Sequence, residues 1–189
     1  MNKKNWIIFG LFILAGVLFC TVQFGILPAQ EAGQIEYQNR QTDALTHDIS
    51  VAVDYKSSYI GDASNTANLF YNLPMNNVPM TFEIDHTSLT VNYRDTVWNI
   101  GEEKARRDMV YNAIAAMATI DNLSQMTFNF VGEQFIFARD QFEMVFGRPL
   151  DDLLEKGVWL DRVQKPLYSQ EFIEQFFNNI WYKQLTFQQ

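Results

Sequence analysis

The chain has 189 residues with 14 Lys and Arg against 22 Asp and Glu, a formal net charge of −8. That balance excludes a nucleic-acid binder, because attraction to phosphate needs clustered Lys and Arg, and it equally disfavours a surface lying flat on anionic lipid. At 15% aromatic content the chain has material for one sizeable core without disulfides.

The first element in chain order lies in "KKNWIIFGLFILAGVLFCTVQFGILPAQ", from Lys3 to Gln30. Trp6 to Leu27 carries no charge, and only Thr21 and Gln23 are strongly polar. A helix over that run would be roughly 33 Å long, enough for a hydrocarbon core of about 30 Å. A cleavable signal has a shorter apolar region ending in small residues. Two processing alternatives stand beside a retained anchor: cleavage after Ala29, and lipidation at Cys20, where Phe19 occupies the place of the usual small residue. Lys3 and Lys4 precede the run and Glu31 is the first charge after it, so the N-terminus is expected in the cytoplasm and the rest outside, at the cell membrane.

The expected organisation is a cytoplasmic tail over 1–5, a transmembrane helix over 6–27, a polar tether over 28–47 and an extracytoplasmic domain over 48–189. Without Lys3 and Lys4 the chain has 12 basic and 22 acidic residues, a net of −10, and no cysteine follows Cys20. A disulfide-free exterior domain held by its core suits a bacterial cell envelope.

Within the domain, "ISVAVDY" reads as a short strand, and "GDASNTANLFYNLP" as a short helix capped by Asp62 or Ser64 and ended by Pro74. "MTFEIDH" and "SLTVNYR" alternate with period two, setting Met80, Phe82 and Ile84, then Leu89, Val91 and Tyr93, on one face of a hairpin. Asn99 with Glu102 predicts the cap of a long helix that covers the sheet through Val110, Ile114 and Met117. A second hairpin follows, with Met126, Phe128 and Phe130 before a turn at Gly132 and Phe135 and Phe137 after it. Asp140 with Glu143 predicts the start of a helix ending at Gly147, "PLDDLLEKG" another stopping at Gly157, and Ser169 caps a last helix whose Phe172, Ile173, Phe176, Phe177, Ile180 and Trp181 form a core-facing stripe. The fold class is therefore α+β: an antiparallel sheet of two hairpins packed by helices, after one transmembrane helix.

No HExxH, GxSxG, Gly-rich phosphate loop or CxxC occurs, so no catalytic residue, cofactor or metal site is expected. His47 falls in the tether and His86 at a hairpin turn, both as solvated residues. Glu102 and Glu103, and Asp151 and Asp152, sit at predicted helix starts, where the helix dipole accounts for them. The loop "KSSYIGDASN" is the candidate ligand or partner site: Tyr59, Gly61, Asp62 and Asn65 gather an aromatic and several polar groups before a helix N-terminus.

At "YKSSYIGDASNTANLFYNLP", "LTVNYR", "NAIAAMATIDNLSQMTFNF" and "FARDQFEMVFG" the chain resembles the domain-of-unknown-function family DUF4825, over roughly residues 50 to 150. The resemblance implies a bacterial extracytoplasmic domain, of a kind sometimes attached to membrane zinc peptidases of the antibiotic-sensor type. It brings no established activity and no functional residues, and this chain lacks the zinc motif. The expectation is a membrane-tethered accessory or sensory domain that binds an envelope protein or a small ligand, with the bilayer contacted through Trp6 to Leu27. The alternatives are a small envelope hydrolase with a carboxylate site and a cleaved, secreted factor.

Overall fold

The structure, a computed structural model, describes residues 3–178 and divides at Arg40 into two units. The first contains α1 (Lys3–Thr21), a π turn (Val22–Ile26) and α2 (Leu27–Arg40). Trp6–Arg40 is one helical run of 35 residues, long and apolar enough to cross a membrane, with none of its apolar window buried. The run does not stop at Pro28. Proline has no N–H to give the helix ladder, and the π turn directly before it is where the ladder changes register. Gln, Glu and Ala then favour continuation, so the stretch expected as a polar tether over 28–47 is helical to Arg40. Gln41 already belongs to the second unit.

The second unit opens with a short helix, α3 (Ser50–Val53), where the sequence suggested a strand. The apolar residues that it buries are Ile49 and Ala52, three apart as on a helix face, and Asp48 closes the turn by accepting from Ser50 N–H at 3.1 Å. α4 (Ala63–Tyr71) is capped by the Asp62 carboxylate, which accepts from Asn65 N–H. It buries Thr66, Leu69 and Phe70 and leaves Tyr71 exposed.

Strands β1 (Met80–Asp85), β2 (Ser88–Tyr93), β3 (Gln125–Phe130) and β4 (Glu133–Ala138) form one sheet in the order β1-β2-β3-β4. Both hairpins are antiparallel, as their alternation predicts, but β2 and β3 pair in parallel, with Leu89 opposite Met126 and Val91 opposite Phe128. The sheet is therefore mixed rather than antiparallel. A parallel pair needs a long crossover, and α5 (Val97–Ile100) with α6 (Glu102–Thr119) supplies it. Thr96 caps α5, accepting from Asn99 N–H at 3.1 Å, and α6 starts after Gly101 with no side-chain cap, not at Asn99.

From Asp108 to Thr119 every residue of α6 is buried, so this helix is the centre of the core and not a one-sided cover. Alanines at 113, 115, 116 and 118 permit close approach all round, and the helix touches α3, α4 and the elements after the sheet. Arg139 closes its far end, donating from Nε to Leu123 O at 2.8 Å and from Nη2 to Ile120 O at 2.7 Å, where a cation also suits the helix dipole.

α7 (Arg139–Phe146) starts one residue before Asp140, and Gly147 ends it with φ 64°, a conformation open to glycine. The Leu150–Leu153 turn is followed by α8 (Lys156–Trp159). Glu155 caps α8 through Gly157 N–H and Val158 N–H, so Gly157 lies inside a helix that was expected to stop there. α9 (Gln170–Asn178) buries Ile173 and Phe176. Arg106 fixes it by lying 4.1 Å over the Phe177 ring while bonding Glu174 at 3.0 Å. Ile180 and Trp181 lie outside the described residues.

The inner sheet face is aromatic. Tyr93 stacks on Phe130 at 4.9 Å, and Phe137 meets Phe128, Phe142 and Phe177 at 5.4 to 5.9 Å. The full chain in mild detergent, unfolded by urea, is expected to lose about 3 to 5 kcal/mol on Phe128→Ala, since this ring is fully buried at the centre of the cluster. A loss below about 1 kcal/mol would contradict that packing.

Candidate functional site

The loop singled out from the sequence is built rigidly. Ser57 N–H donates to Thr119 O and accepts, through its carbonyl, from Asp121 N–H at 3.0 Å. Ser58 Oγ donates to Asp121 at 3.0 Å, and Ile60 N–H to Asn122 Oδ1 at 2.7 Å. These bonds sew the loop to the turn between α6 and β3, and they hold Tyr59 62% exposed. Gly61 is needed for closeness: a Cβ there would stand 1.9 Å from Tyr59 Cε1.

Of the four residues, Asp62 and Asn65 are spent on the fold. Asp62 caps α4, and Asn65 Nδ2 donates to Tyr55 O at 2.7 Å. The arrangement that remains is one aromatic ring displayed over a glycine on a fixed loop, suited to contact with a partner surface.

The other candidates stand apart from one another. Glu102 and Glu103 are exposed in the first turn of α6, and Asp151 and Asp152 in the Leu150–Leu153 turn. His86, φ 53°, is 92% exposed beside Asp85 at 3.6 Å. Among the described residues no group of three or more His, Cys, Asp and Glu is placed to hold a metal.

The polar centre of the unit lies where the sequence suggested only a tether. Asp108, wholly buried on α6, accepts from Ala44 N–H at 2.9 Å and pairs with Lys104. Lys104 Nζ also donates to Thr42 O at 2.6 Å, and Arg107 reaches Asp43 at 3.2 Å. From the other side Gln164 Nε2 donates to Ala44 O at 2.8 Å and to His47 O at 2.7 Å.

His47 is 3% exposed, not solvated. Its Nε2 lies 2.6 Å from Asn72 O and its Nδ1 2.7 Å from the Tyr111 hydroxyl. A carbonyl only accepts, so Nε2 carries the proton and Nδ1 accepts from Tyr111. Burial lowers its pKa to about 4, against the opposing pull of Asn72 O and Asp48. Burial raises that of Asp108 to about 6, against Lys104 and Ala44 N–H. Asp48 is held down at about 2, because Lys156 and Ser50 donate to it strongly enough to overcome its desolvation.

Little of this is written in local spacing. The bonds that tie residues 42–47 to α6 and to Gln164 join positions 62 to 120 apart, and the local signals are the i,i+4 spacing of Lys104 and Asp108 and Asp43, which closes its own turn through Leu45 N–H at 2.9 Å.

Residues 52–142 match the family model DUF4825, described as a domain of unknown function. The match takes in the sheet, α6 and the Tyr59 loop, and leaves out His47, Trp159 and Gln164. No curated protein and no solved structure matches the chain.

The two buried titrations oppose each other. A depressed histidine gives stability that is present above pH 6.5 and lost as pH falls toward 4, whereas a raised aspartate gives stability that is present below pH 3.8 and lost as pH rises toward 6. Relative to the wild type, His47→Asn is expected to become less stable with rising pH between 4 and 6, by up to about 1.4 kcal/mol per unit, and Asp108→Asn more stable. Urea midpoints across that range read both slopes, and parallel curves for the three proteins would contradict the assignment.

Proposed function

We propose that the chain, which carries a DUF4825 domain over residues 52–142, is a membrane-tethered accessory or sensory protein. Its domain works on the extracytoplasmic side of a bacterial cell membrane and binds an envelope protein or a small ligand. The observation that carries the reading is an apolar helical run joined to a separately cored unit, with Lys3 and Lys4 on its N-terminal side and the acidic residues on the other. That charge asymmetry orients a span with its basic end in the cytoplasm. The fixed, exposed Tyr59 supports a role in contact rather than in chemistry, because a rigid aromatic gives contact area at low entropic cost.

Topology is read by single-cysteine labelling. In a Cys20→Ser background, Glu133→Cys, at the exposed start of β4, is expected to react with a membrane-impermeant maleimide in intact cells. Labelling only after permeabilisation would overturn the orientation. For binding, crosslinking of intact cells is expected to give one recurrent adduct of the full-length chain that Tyr59→Ala removes without a change in expression; an adduct indifferent to Tyr59 would move the contact elsewhere.

A further inference from the structure

The start of β1 borders an open cleft of about 450 Å³, walled by Tyr71, Asn76, Asn77, Val78, Met80 and Arg94 among others. Its polar groups are unspent. The Arg94 guanidinium has no hydrogen bond or ion pair among the described residues, and neither do the amides of Asn76 and Asn77 or the Tyr71 hydroxyl. Arg106, Arg107 and Arg139 each reach a carboxylate; Arg94, Arg148 and Arg162 have no such partner among the described residues, and of these three Arg94 lines the cleft. A free guanidinium in a chain with 22 acidic residues to 14 basic is a place where a planar anion is received in a bidentate fork.

The second feature of this cleft is the strand that leaves it. β1 is a sheet edge, paired with β2 on one side only, so its other side presents unpaired N–H and C=O groups. Met80 and Thr81 belong both to the cleft wall and to the start of that edge. Further along the same strand Glu83 and Asp85 are exposed. A cation therefore lines the cleft at the start of the strand, and carboxylates stand toward its other end.

The cleft is also pre-shaped. Pro79 O accepts from Arg94 N–H at 2.9 Å, Pro74 O from the buried Asn112 Nδ2 at 2.7 Å, and Met75 closes the turn between them at φ 63°. A ligand arriving there orders little.

We infer that the cleft and the β1 edge together receive the C-terminal segment of an extended peptide, with its carboxylate on Arg94 and its backbone paired along β1. The direction follows from the charges: a carboxylate at the Met80 end makes the peptide run against β1, as an added antiparallel strand. At ~3.3 Å per residue, Asp85 lies about 13 Å from Thr81, so a lysine about four residues before the terminus meets the acidic end. Val78, Met80 and Tyr71 form the bed for the terminal apolar side chain. The inference rests on reading the domain as a binding module, but on neither its orientation in a membrane nor the Tyr59 contact.

The test uses the full-length chain in mild detergent and the fluorescein-labelled pentapeptide KTVTV, followed by anisotropy. The free-acid peptide is expected to bind at least about tenfold more tightly than its C-terminal amide, since the charge-assisted fork is lost in the amide. Arg94→Ala is expected to abolish that difference, Arg94→Lys to restore part of it, and Asn77→Asp, which sets a like charge beside the ligand, to weaken the acid form alone. Unchanged thermal unfolding of these surface variants ties the effect to binding. The inference is overturned if neither peptide binds, if acid and amide bind alike, or if millimolar inorganic phosphate displaces the peptide completely, which would make the cleft a simple anion site. A failed topology test leaves this result untouched, and a failed peptide test leaves the tether in place.

Discussion

The Asp108 carboxylate is the constraint on which the second unit depends. A buried charge is costly unless it is paired and fully hydrogen-bonded, and Asp108 finds its partners in the Ala44 N–H and Lys104. Lys104 in turn holds Thr42 O. The first residues of the unit are thereby bound to the central helix, where Arg107 adds Asp43, and to the segment after the sheet, where Gln164 adds the carbonyls of Ala44 and His47 and Lys156 adds Asp48 at 2.7 Å. Removing the carboxylate would leave Lys104 and the Ala44 N–H without their buried partner. Residues 41–49 therefore form a structural part of the domain, and its start lies at Gln41 rather than near Ile49.

Burial keeps His47 neutral, and its two hydrogen bonds fix the tautomer. It sits between a carbonyl that can only accept and a phenol that donates, and Tyr111 packs edge-on against both His47, at 5.2 Å, and Trp159, at 5.1 Å. A second proton on the ring would face the Tyr111 hydroxyl and break this order. Elements distant in sequence, the residues before α3, the middle of α6 and α8, thus meet around the Tyr111 ring.

The elements legible in the sequence were those whose signal is local. Alternation of Phe82 and Ile84 with Glu83 and Asp85, or of Phe128 and Phe130 with Asn129, shows which face is buried, and the Asp62 cap with Pro74 bounds α4. Alternation does not say which strand lies alongside, so the parallel pairing of β2 with β3 was not legible. The alanines of α6 carry little polarity contrast, so a helix buried all round read as one stripe. Ile49 and Ala52 were masked by the β-branched Val51 and Val53, which the helix leaves less buried. The site was legible to a similar depth. Asp62 and Asn65 were recognisable as helix-start residues, which is what they are, but the close approach of the Tyr59 ring to Gly61 depends on three bonds to the turn after α6. The place of the Arg94 guanidinium in a cleft wall is visible only once the turn between α4 and β1 is folded.

The most direct measurement is amide hydrogen exchange of the full-length chain in detergent, read at Ala44. If Asp108 binds the start of the domain to its core, the Ala44 amide exchanges as slowly as the amides of Val110 to Ala116, through opening of the whole unit. Exchange of Ala44 within the time of an exposed loop, with α6 still protected, would show that residues 41–49 open independently and would contradict the account.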